Sequence, residues 1–195
     1  MAEDKSPRGE KPARKPPKKA TARYLENVAL WYLQRFAAST ESLRRVLMRR
    51  VDKSVQAHET DRAEGAAFVE DILQRYRRAG LLDDRAYAAA RTASLNRRGV
   101  SSRGVQARLA AKGVAPGDVA AALDSLRETV ADPDLAAAVA YVRRRRLGPY
   151  RTAAERADYR DRDLAALGRQ GFGYDIARRA VDAADPDALD SLIPD

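Results

Sequence analysis

The sequence predicts an all-α protein of three tandem three-helix repeats that form an elongated, curved array. Alanine, leucine and arginine are abundant, whereas isoleucine occurs only three times and no stretch alternates β-branched and polar residues. A pattern of apolar, basic and hydroxyl residues also recurs at an offset of 62 residues. Such self-similarity marks a repeated unit that is stabilised by stacking on its neighbours. The first copy comprises Leu33, Arg35, Ser39, Thr40, Leu43 and Leu47, and the second comprises Leu95, Arg97, Ser101, Ser102, Val105 and Leu109.

The chain divides into five predicted segments. The first is a disordered basic arm, because its prolines and charges leave too little apolar surface to offset the entropy of ordering. Three repeats follow, the first of them lengthened by a polar insertion, and an acidic C-terminal tail ends the chain. The boundaries are 1–23 for the arm, 24–82 for the first repeat with its insertion at 52–64, 83–131 for the second, 132–184 for the third and 185–195 for the tail.

In the first repeat, residues 25–35 have the apolar spacing of a helix that buries one face. A hydroxyl at Ser39 or Thr40 can accept hydrogen bonds from the free amides that begin the second helix. A third helix is predicted from about residue 66 to 79, and Gly80 follows it as a C-terminal cap.

The second repeat begins with a helix capped by Asp83 or Asp84 and ended by Gly99. Ser101 or Ser102 begins the next helix, and Pro116 marks the start of the third. In the fainter third repeat, Asp132 and Pro133 start a helix over about 135–146, and Gln170 to Ile176 resemble Lys112 to Val119 as a helix break and restart. This repeat is degenerate, as terminal repeats often are.

Composition limits the classes of protein to consider. Of the net charge of +9, the predicted arm carries +5, so the pI of 10.0 does not by itself indicate a basic surface over the folded part. No stretch has the roughly 18 apolar residues that a membrane span needs. The absence of cysteine excludes disulfides and thiolate metal sites and fits a reducing cytoplasm. We expect a soluble cytoplasmic protein.

The residues that could carry catalysis are sparse. His58, the only histidine, lies in the polar insertion, and Asp83 with Asp84 is better explained as a helix cap than as an acid and base pair. Gly99 and Gly104 have the spacing of a phosphate loop, but the lysine and hydroxyl residue that should follow are absent. We therefore predict a protein that is not an enzyme and has no catalytic, metal or cofactor site.

Arginine is the residue type that remains available for function, since guanidinium groups bind phosphates and carboxylates equally well. The run from 143 to 146 cannot face one ligand, because four helical residues extend all round the axis. Tyr141, Tyr150 and Tyr159 lie nearby, either as core residues or as stacking platforms for bases. The candidate partner-binding residues are Arg75, Arg78, Arg97, Arg98, Arg103, Arg108, Lys112, Arg143, Arg144, Arg145 and Arg146.

One set of residues resembles the signature of a known family. Its members, in chain order, are Gly80-Leu81-Leu82-Asp83-Asp84, Tyr87-Ala88, Arg98-Gly99-Val100, Leu109 and Lys112-Gly113-Val114. Together these motifs resemble the RecX regulatory proteins. Ala29-Leu30 and the first copy of the repeat, with Glu41, resemble the opening block of that family, and the likeness extends over about residues 24–182.

This resemblance implies a modulator of the RecA recombinase that lies along the groove of a RecA filament on single-stranded DNA. It would suppress ATP hydrolysis, strand exchange and filament extension, and so restrain recombination and the SOS response. We expect the protein to be a monomer. Contact with single-stranded DNA would be direct or made through the filament. The alternative is an autonomous DNA-binding regulator of the helix-turn-helix type, since two helices joined by a short turn can form such a unit.

Overall fold

The computed structural model describes residues 16–58 and 61–193, and the regular secondary structure in both ranges is entirely helical. The helices form three units of three, followed by one short helix, which confirms the predicted all-α repeat fold. Unit 1 contains α1 (Ala22–Leu33), α2 (Thr40–Ala57) and α3 (Arg62–Arg78), and unit 2 contains α4 (Asp84–Arg97), α5 (Ser102–Ala111) and α6 (Pro116–Thr129). Unit 3 contains α7 (Pro133–Arg145), α8 (Ala153–Arg169) and α9 (Tyr174–Val181), with a 3-10 turn at Gly148–Tyr150 and α10 (Pro186–Asp190) at its end.

The helices begin at residues that can cap them. Side-chain oxygens of Ser39, Asp83 and Ser101 accept hydrogen bonds from the first-turn amides of α2, α4 and α5, as the sequence predicts. Pro116 and Pro133 occupy the first positions of α6 and α7, where a missing amide hydrogen costs nothing. None of the helices in the described ranges is long and apolar enough to span a membrane.

Each unit encloses its own apolar core, formed where the apolar stripes of its helices meet. The three cores are separate clusters of buried side chains, so apolar packing chiefly stabilises the units one by one. Fully buried members include Leu25, Leu43, Leu47 and Val69 in unit 1, Val105 and Leu109 in unit 2, and Ala137, Val142 and Leu167 in unit 3.

Hydrogen bonds of one repeated design join the units. At the first junction, the Ser39 hydroxyl donates to the carbonyl of Lys112 at 2.6 Å, and the Thr40 amide donates to Asp84 Oδ1 at 2.7 Å. At the second junction, the Ser101 hydroxyl donates to the carbonyl of Gln170 at 2.6 Å, and the Ser102 amide donates to Asp134 Oδ1 at 2.6 Å. The start of the second helix of units 1 and 2 is therefore bonded to the first and second helices of the next unit.

A glycine allows the close approach at each junction. Gly113 has φ 73°, and a Cβ there would lie 2.4 Å from Cβ and Cγ of Glu41. Gly171 has φ 88°, and a Cβ there would lie 2.9 Å from the Ser101 hydroxyl. Both positions need a residue that tolerates a left-handed backbone and has no side chain.

In unit 3, the polar groups at the start of the second helix bond each other within the unit. Thr152 occupies the position that Ser39 and Ser101 hold in the other units, but its hydroxyl bonds Glu155 at 2.9 Å. The Glu155 side chain also accepts from the Thr152 amide, which completes a capping box. The hydroxyl that docks the next unit at the other junctions is thus already paired here.

The structure corrects three boundary predictions. Residues 16–23, predicted as part of the arm, lie against unit 1: Ala20 is buried, and its amide donates to the Ser54 hydroxyl at 2.9 Å. The insertion at 52–64 is mostly helix, because the extra residues lengthen α2 and α3. Gly65 of α3 has no side chain and so lets this helix pack closely against Val51 of α2. Residues 1–15 lie outside the described residues.

The predicted acidic tail at 185–195 is also a packed element as far as residue 193. Asp185 caps α10 by accepting from the Ala188 amide, and Leu189 is completely buried in the core of unit 3. Asp190 pairs with Arg143 of α7. Leu192 and Ile193 pack against the same core, so a few apolar residues among aspartates are enough to dock this segment.

A buried carboxylate fixes the segment between α7 and α8. Asp163 of α8 is 2% exposed and accepts from both Nε and Nη2 of Arg151 at 2.7 Å and from the Gly148 amide at 2.9 Å. Burial would raise the pKa of Asp163, but the hydrogen bonds from Arg151 and Gly148 outweigh it and hold that pKa below its ordinary value of 3.8. The ion pair therefore stabilises the fold while Asp163 is charged.

Substitution of Gly113, at the first junction, should lower the free energy of unfolding more than substitution of Gly80, which has a similar left-handed backbone but no close neighbour. Gly80→Ala, at φ 70° with nothing within 4 Å of the added Cβ, should destabilise by about 1 kcal/mol. Gly113→Ala adds the clash with Glu41 and should cost about 1–3 kcal/mol more. Urea unfolding of the two variants measures the difference, and equal losses would contradict the junction contact.

The variant Asp163→Asn should lower the free energy of unfolding by about 2–3 kcal/mol at neutral pH, because it leaves Arg151 without its charged partner. The loss is limited because Arg151 keeps some contact with water. Because folding lowers the pKa of Asp163, its contribution is complete well above pH 3.8 and disappears as the pH falls through the lowered pKa. The gap between wild type and variant should accordingly narrow in acid.

Thermal unfolding over a pH series measures this gap. The matched control is Asp182→Asn, which removes a bidentate partner of Arg160 that lies nearer the solvent. At neutral pH, Asp182→Asn should lower the melting temperature less than Asp163→Asn does. A gap for Asp163→Asn that does not depend on pH would disprove the role of its charge.

Candidate partner-binding surface

A groove of about 750 Å³ lies where unit 1 meets unit 2, and we term it the junction groove. It is centred on the segment 80–84, which connects α3 to α4. Gly80 takes a left-handed conformation after α3, and the amides of Leu81 and Leu82 both donate to the Tyr76 carbonyl. Leu82 is then buried, and Asp83 caps α4. This turn directs α4 and brings the carboxylate of Asp84 to the first junction.

The lining of the junction groove has charges of both signs. Arg44 is fully engaged: its Nε and Nη2 donate to the two carboxylate oxygens of Glu70 at 2.6 and 2.9 Å, and its Nη1 donates to Glu41 at 2.6 Å. These bonds raise the pKa of Arg44 and lower the pKa values of Glu41 and Glu70. The lining includes Arg44, Arg77, Arg78, Arg85, Asp83, Asp84 and Asp118.

Three arginines of the groove remain available. Arg77, Arg78 and Arg85 are exposed and form no ion pair with a carboxylate in the described part of the chain; Arg78 makes one long contact, of 3.5 Å, with Gln74. Leu81 is 55% exposed beside them. Free guanidinium groups next to aspartates and an exposed leucine form a surface suited to a protein partner, because such interfaces combine apolar anchors with charges of both signs.

The predicted arginines do not form one site. Arg75 donates to both Glu26 and Asp71, and these hydrogen bonds raise its pKa, so it serves unit 1 itself. Arg78 lines the junction groove, and Arg97 lines a different cleft beside the last turn of α6. The others of unit 2 are exposed and line neither of these clefts. These are Arg98, Arg103, Arg108 and Lys112.

The run from Arg143 to Arg146 spreads round the axis of α7, as its helical spacing predicts. Arg143 pairs with Asp190, and Arg144 donates to the Arg98 carbonyl at 2.6 Å across the second junction. Arg145 points into a cleft of unit 3, and Arg146 ends the helix in a left-handed conformation at φ 52°. Two of the four are thus structural.

Sequence reasoning did not select Arg77 and Arg85 as candidate residues. Each adjoins a residue that the pattern analysis did select, Arg78 in one case and Asp84 in the other. The signal that could have identified them is their position on either side of the turn at 80–84. No group of three histidine or acidic side chains suited to a metal occurs among residues 16–58 and 61–193.

Comparisons with known proteins agree with this arrangement. A family model described as RecX, second three-helix domain, matches residues 83–123, which form α4, α5 and much of α6. Regulatory protein RecX of Myxococcus xanthus is 43% identical over 170 residues, covering 87% of this chain and 90% of that protein. Regulatory protein RecX of Agrobacterium fabrum is 30% identical over 169 residues, covering 87% of this chain and 88% of that protein.

A solved structure described as the crystal structure of regulatory protein RecX has the same fold, with a TM-score of 0.55 at 20% identity over 82% of this chain and 70% of that one. The fold, the motif at the turn before α4 and the identity over most of the length therefore agree. The chain belongs to the RecX family of regulatory proteins.

Proposed function

We propose that this protein binds RecA recombinase filaments on single-stranded DNA and inhibits their ATP hydrolysis, strand exchange and extension. It would thereby restrain recombination and the SOS response, acting in the cytoplasm as a monomer. The observation that supports this most directly is the family membership, with 43% identity over 87% of the chain to a RecX regulatory protein. The partner itself is taken from the family and not from any contact in the structure.

The repeat architecture supports a filament as the partner. Three units joined by equivalent hydrogen bonds offer binding surfaces at regular intervals, which suits a polymer that repeats its own surface. The junctions fix the spacing, so little ordering entropy is lost on binding. An array of this kind can contact successive subunits and oppose their turnover.

We assign the main contact with RecA to the junction groove. Its available arginines, Arg77, Arg78 and Arg85, flank the turn whose residues resemble the family signature. The aspartates beside them favour a protein surface over bare nucleic acid, whose uniform negative charge would be repelled. The exposed arginines of unit 2 form a secondary candidate contact outside the groove.

The first test is the activity of RecA on single-stranded DNA. Stoichiometric addition of this protein should lower the rate of ATP hydrolysis and the yield of strand exchange, because a bound array would oppose filament growth and subunit turnover. A coupled ATPase assay measures the rate, and a strand-exchange gel measures the product. Full activity of RecA in both assays at saturating protein would refute the proposed function.

The second test locates the contact. The triple variant Arg77→Glu, Arg78→Glu, Arg85→Glu should need an about tenfold or higher concentration for half-inhibition, because reversed charges repel the surface they formerly matched. Reversal of the charges of Arg97, Arg98, Arg103 and Arg108 together should weaken inhibition of RecA less than the triple variant does, and should leave helicity unchanged. Circular dichroism checks the fold of each variant.

The matched control carries Lys18→Glu, Arg50→Glu and Lys53→Glu, three exposed cations beside Tyr24 in unit 1. It makes the same change in net charge and should inhibit almost as well as wild type. If the control loses inhibition and the groove variant retains it, the contact with RecA lies outside the junction groove.

A further inference from the structure

A second basic surface lies in unit 3, in a cleft of about 440 Å³ between the end of α7 and the face of α8. We term it the unit 3 cleft. Arg145 and Arg151 line it from the α7 side, and Tyr159, Arg162 and Arg169 line it from α8. None of these residues belongs to the junction groove, and the proposed contact with RecA does not use them.

The two carboxylates of the unit 3 cleft are already engaged. Asp163 is buried beneath Arg151 and the Gly148 amide, and Glu155 belongs to the capping box of α8. In contrast, Arg145, Arg162 and Arg169 have no carboxylate partner within the ranges that the structure describes. The cleft therefore has four arginines against two carboxylates and carries an excess of positive charge.

Tyrosine rings lie against three guanidinium groups in and beside the cleft. The Arg151 guanidinium carbon lies 4.5 Å and that of Arg162 lies 5.7 Å from the centre of the Tyr159 ring. Next to the cleft, the Arg146 guanidinium lies 5.1 Å from the centre of the Tyr150 ring. A stacked guanidinium keeps its in-plane N–H groups free to bind an oxyanion, so these tyrosines arrange donors as well as add aromatic surface.

We propose that the unit 3 cleft binds the phosphodiester backbone of single-stranded nucleic acid. Guanidinium forks match phosphate oxygens, and the planes of Arg146 and Arg162 offer flat cationic faces on which bases can stack. An acidic peptide would use the charges but not these planes. The adjoining Arg146 and Tyr150 pair extends the basic surface beyond the cleft.

Other clefts are less suited to this ligand. The junction groove has four arginines against three aspartates, and one of those arginines, Arg44, is already bound to Glu41 and Glu70. The cleft beside Tyr24 has two lysines and one arginine, and only Lys18 among them is stacked on a ring. Among the described clefts, the unit 3 cleft combines unpaired arginines with aromatic rings that order their neighbours.

The test is fluorescence anisotropy of a labelled oligo-dT strand with the full chain and no recombinase. The triple variant Arg145→Gln, Arg162→Gln, Arg169→Gln should bind about tenfold more weakly. The salt dependence is more diagnostic: loss of three phosphate contacts should reduce the slope of log K against log salt by about 2. Because the assay contains no recombinase, a failure here leaves the proposed function intact.

The matched control, Lys18→Gln, Arg50→Gln, Lys53→Gln, removes the same charge from unit 1 and should keep the salt slope of wild type. A second variant, Tyr159→Leu, keeps every charge and should weaken binding about threefold through the loss of stacking. Circular dichroism confirms that each variant is folded.

Three results would overturn the proposal. The first is an equal loss of affinity and of salt slope in the cleft variant and in its control at Lys18, Arg50 and Lys53, which would show an effect of net charge alone. The second is displacement of the strand by inorganic phosphate at the same concentration of phosphate groups, which would show a site for a free anion. The third is equal or tighter binding of a polyglutamate peptide, which would identify an acidic protein segment as the ligand.

Discussion

The hydrogen bond from an N-cap serine to a carbonyl of the next unit is the interaction on which the arrangement of this protein depends. Ser39 and Ser101 each accept from an amide of their own helix and donate to the end of the following unit's second helix. Because the three apolar cores are separate, apolar packing within a unit does not set the angle between units. These directional bonds, with Asp84 and Asp134 beside them, set that angle. A short polar contact is sensitive to geometry in a way that apolar burial is not.

The same constraint explains where the two candidate surfaces lie. The junction groove exists because the turn at 80–84 must deliver Asp84 to the Thr40 amide, which leaves arginines of α3 and α4 on either side. The unit 3 cleft lies beside a second set of directional bonds, from Arg151 and the Gly148 amide to Asp163, which hold the segment between α7 and α8. One surface follows from a junction between units, and the other from a buried ion pair within a unit.

The sequence predicted the helices, the repeats and the capping residues because these depend on local chemistry. Ser39 and Ser101 were recognisable as caps, but their second bonds were not, since the acceptors lie 73 and 69 residues away. The insertion at 52–64 and the tail were misjudged because a few buried residues among polar ones, such as Ser54 and Leu189, decide the packing there. Of the candidate site, Arg78 and Arg145 were selected, whereas Arg77, Arg85, Arg162 and Arg169 emerge only when the turns bring separate helices together.

Net charge gives a poor guide to where a basic protein binds. With 37 lysines and arginines, this chain has many cations that serve its own structure. Arg45 and Arg144 donate to carbonyls of neighbouring units, Arg151 holds Asp163, and Arg44 joins two glutamates. An arginine whose N–H donors are already bonded has few donors free for a partner. Breaking its existing hydrogen bonds would cost about as much free energy as the new contact supplies. The residues that can bind are those whose donors remain free, and their position follows from how the junctions place the turns. Binding and architecture in this chain are therefore set by the same short polar contacts.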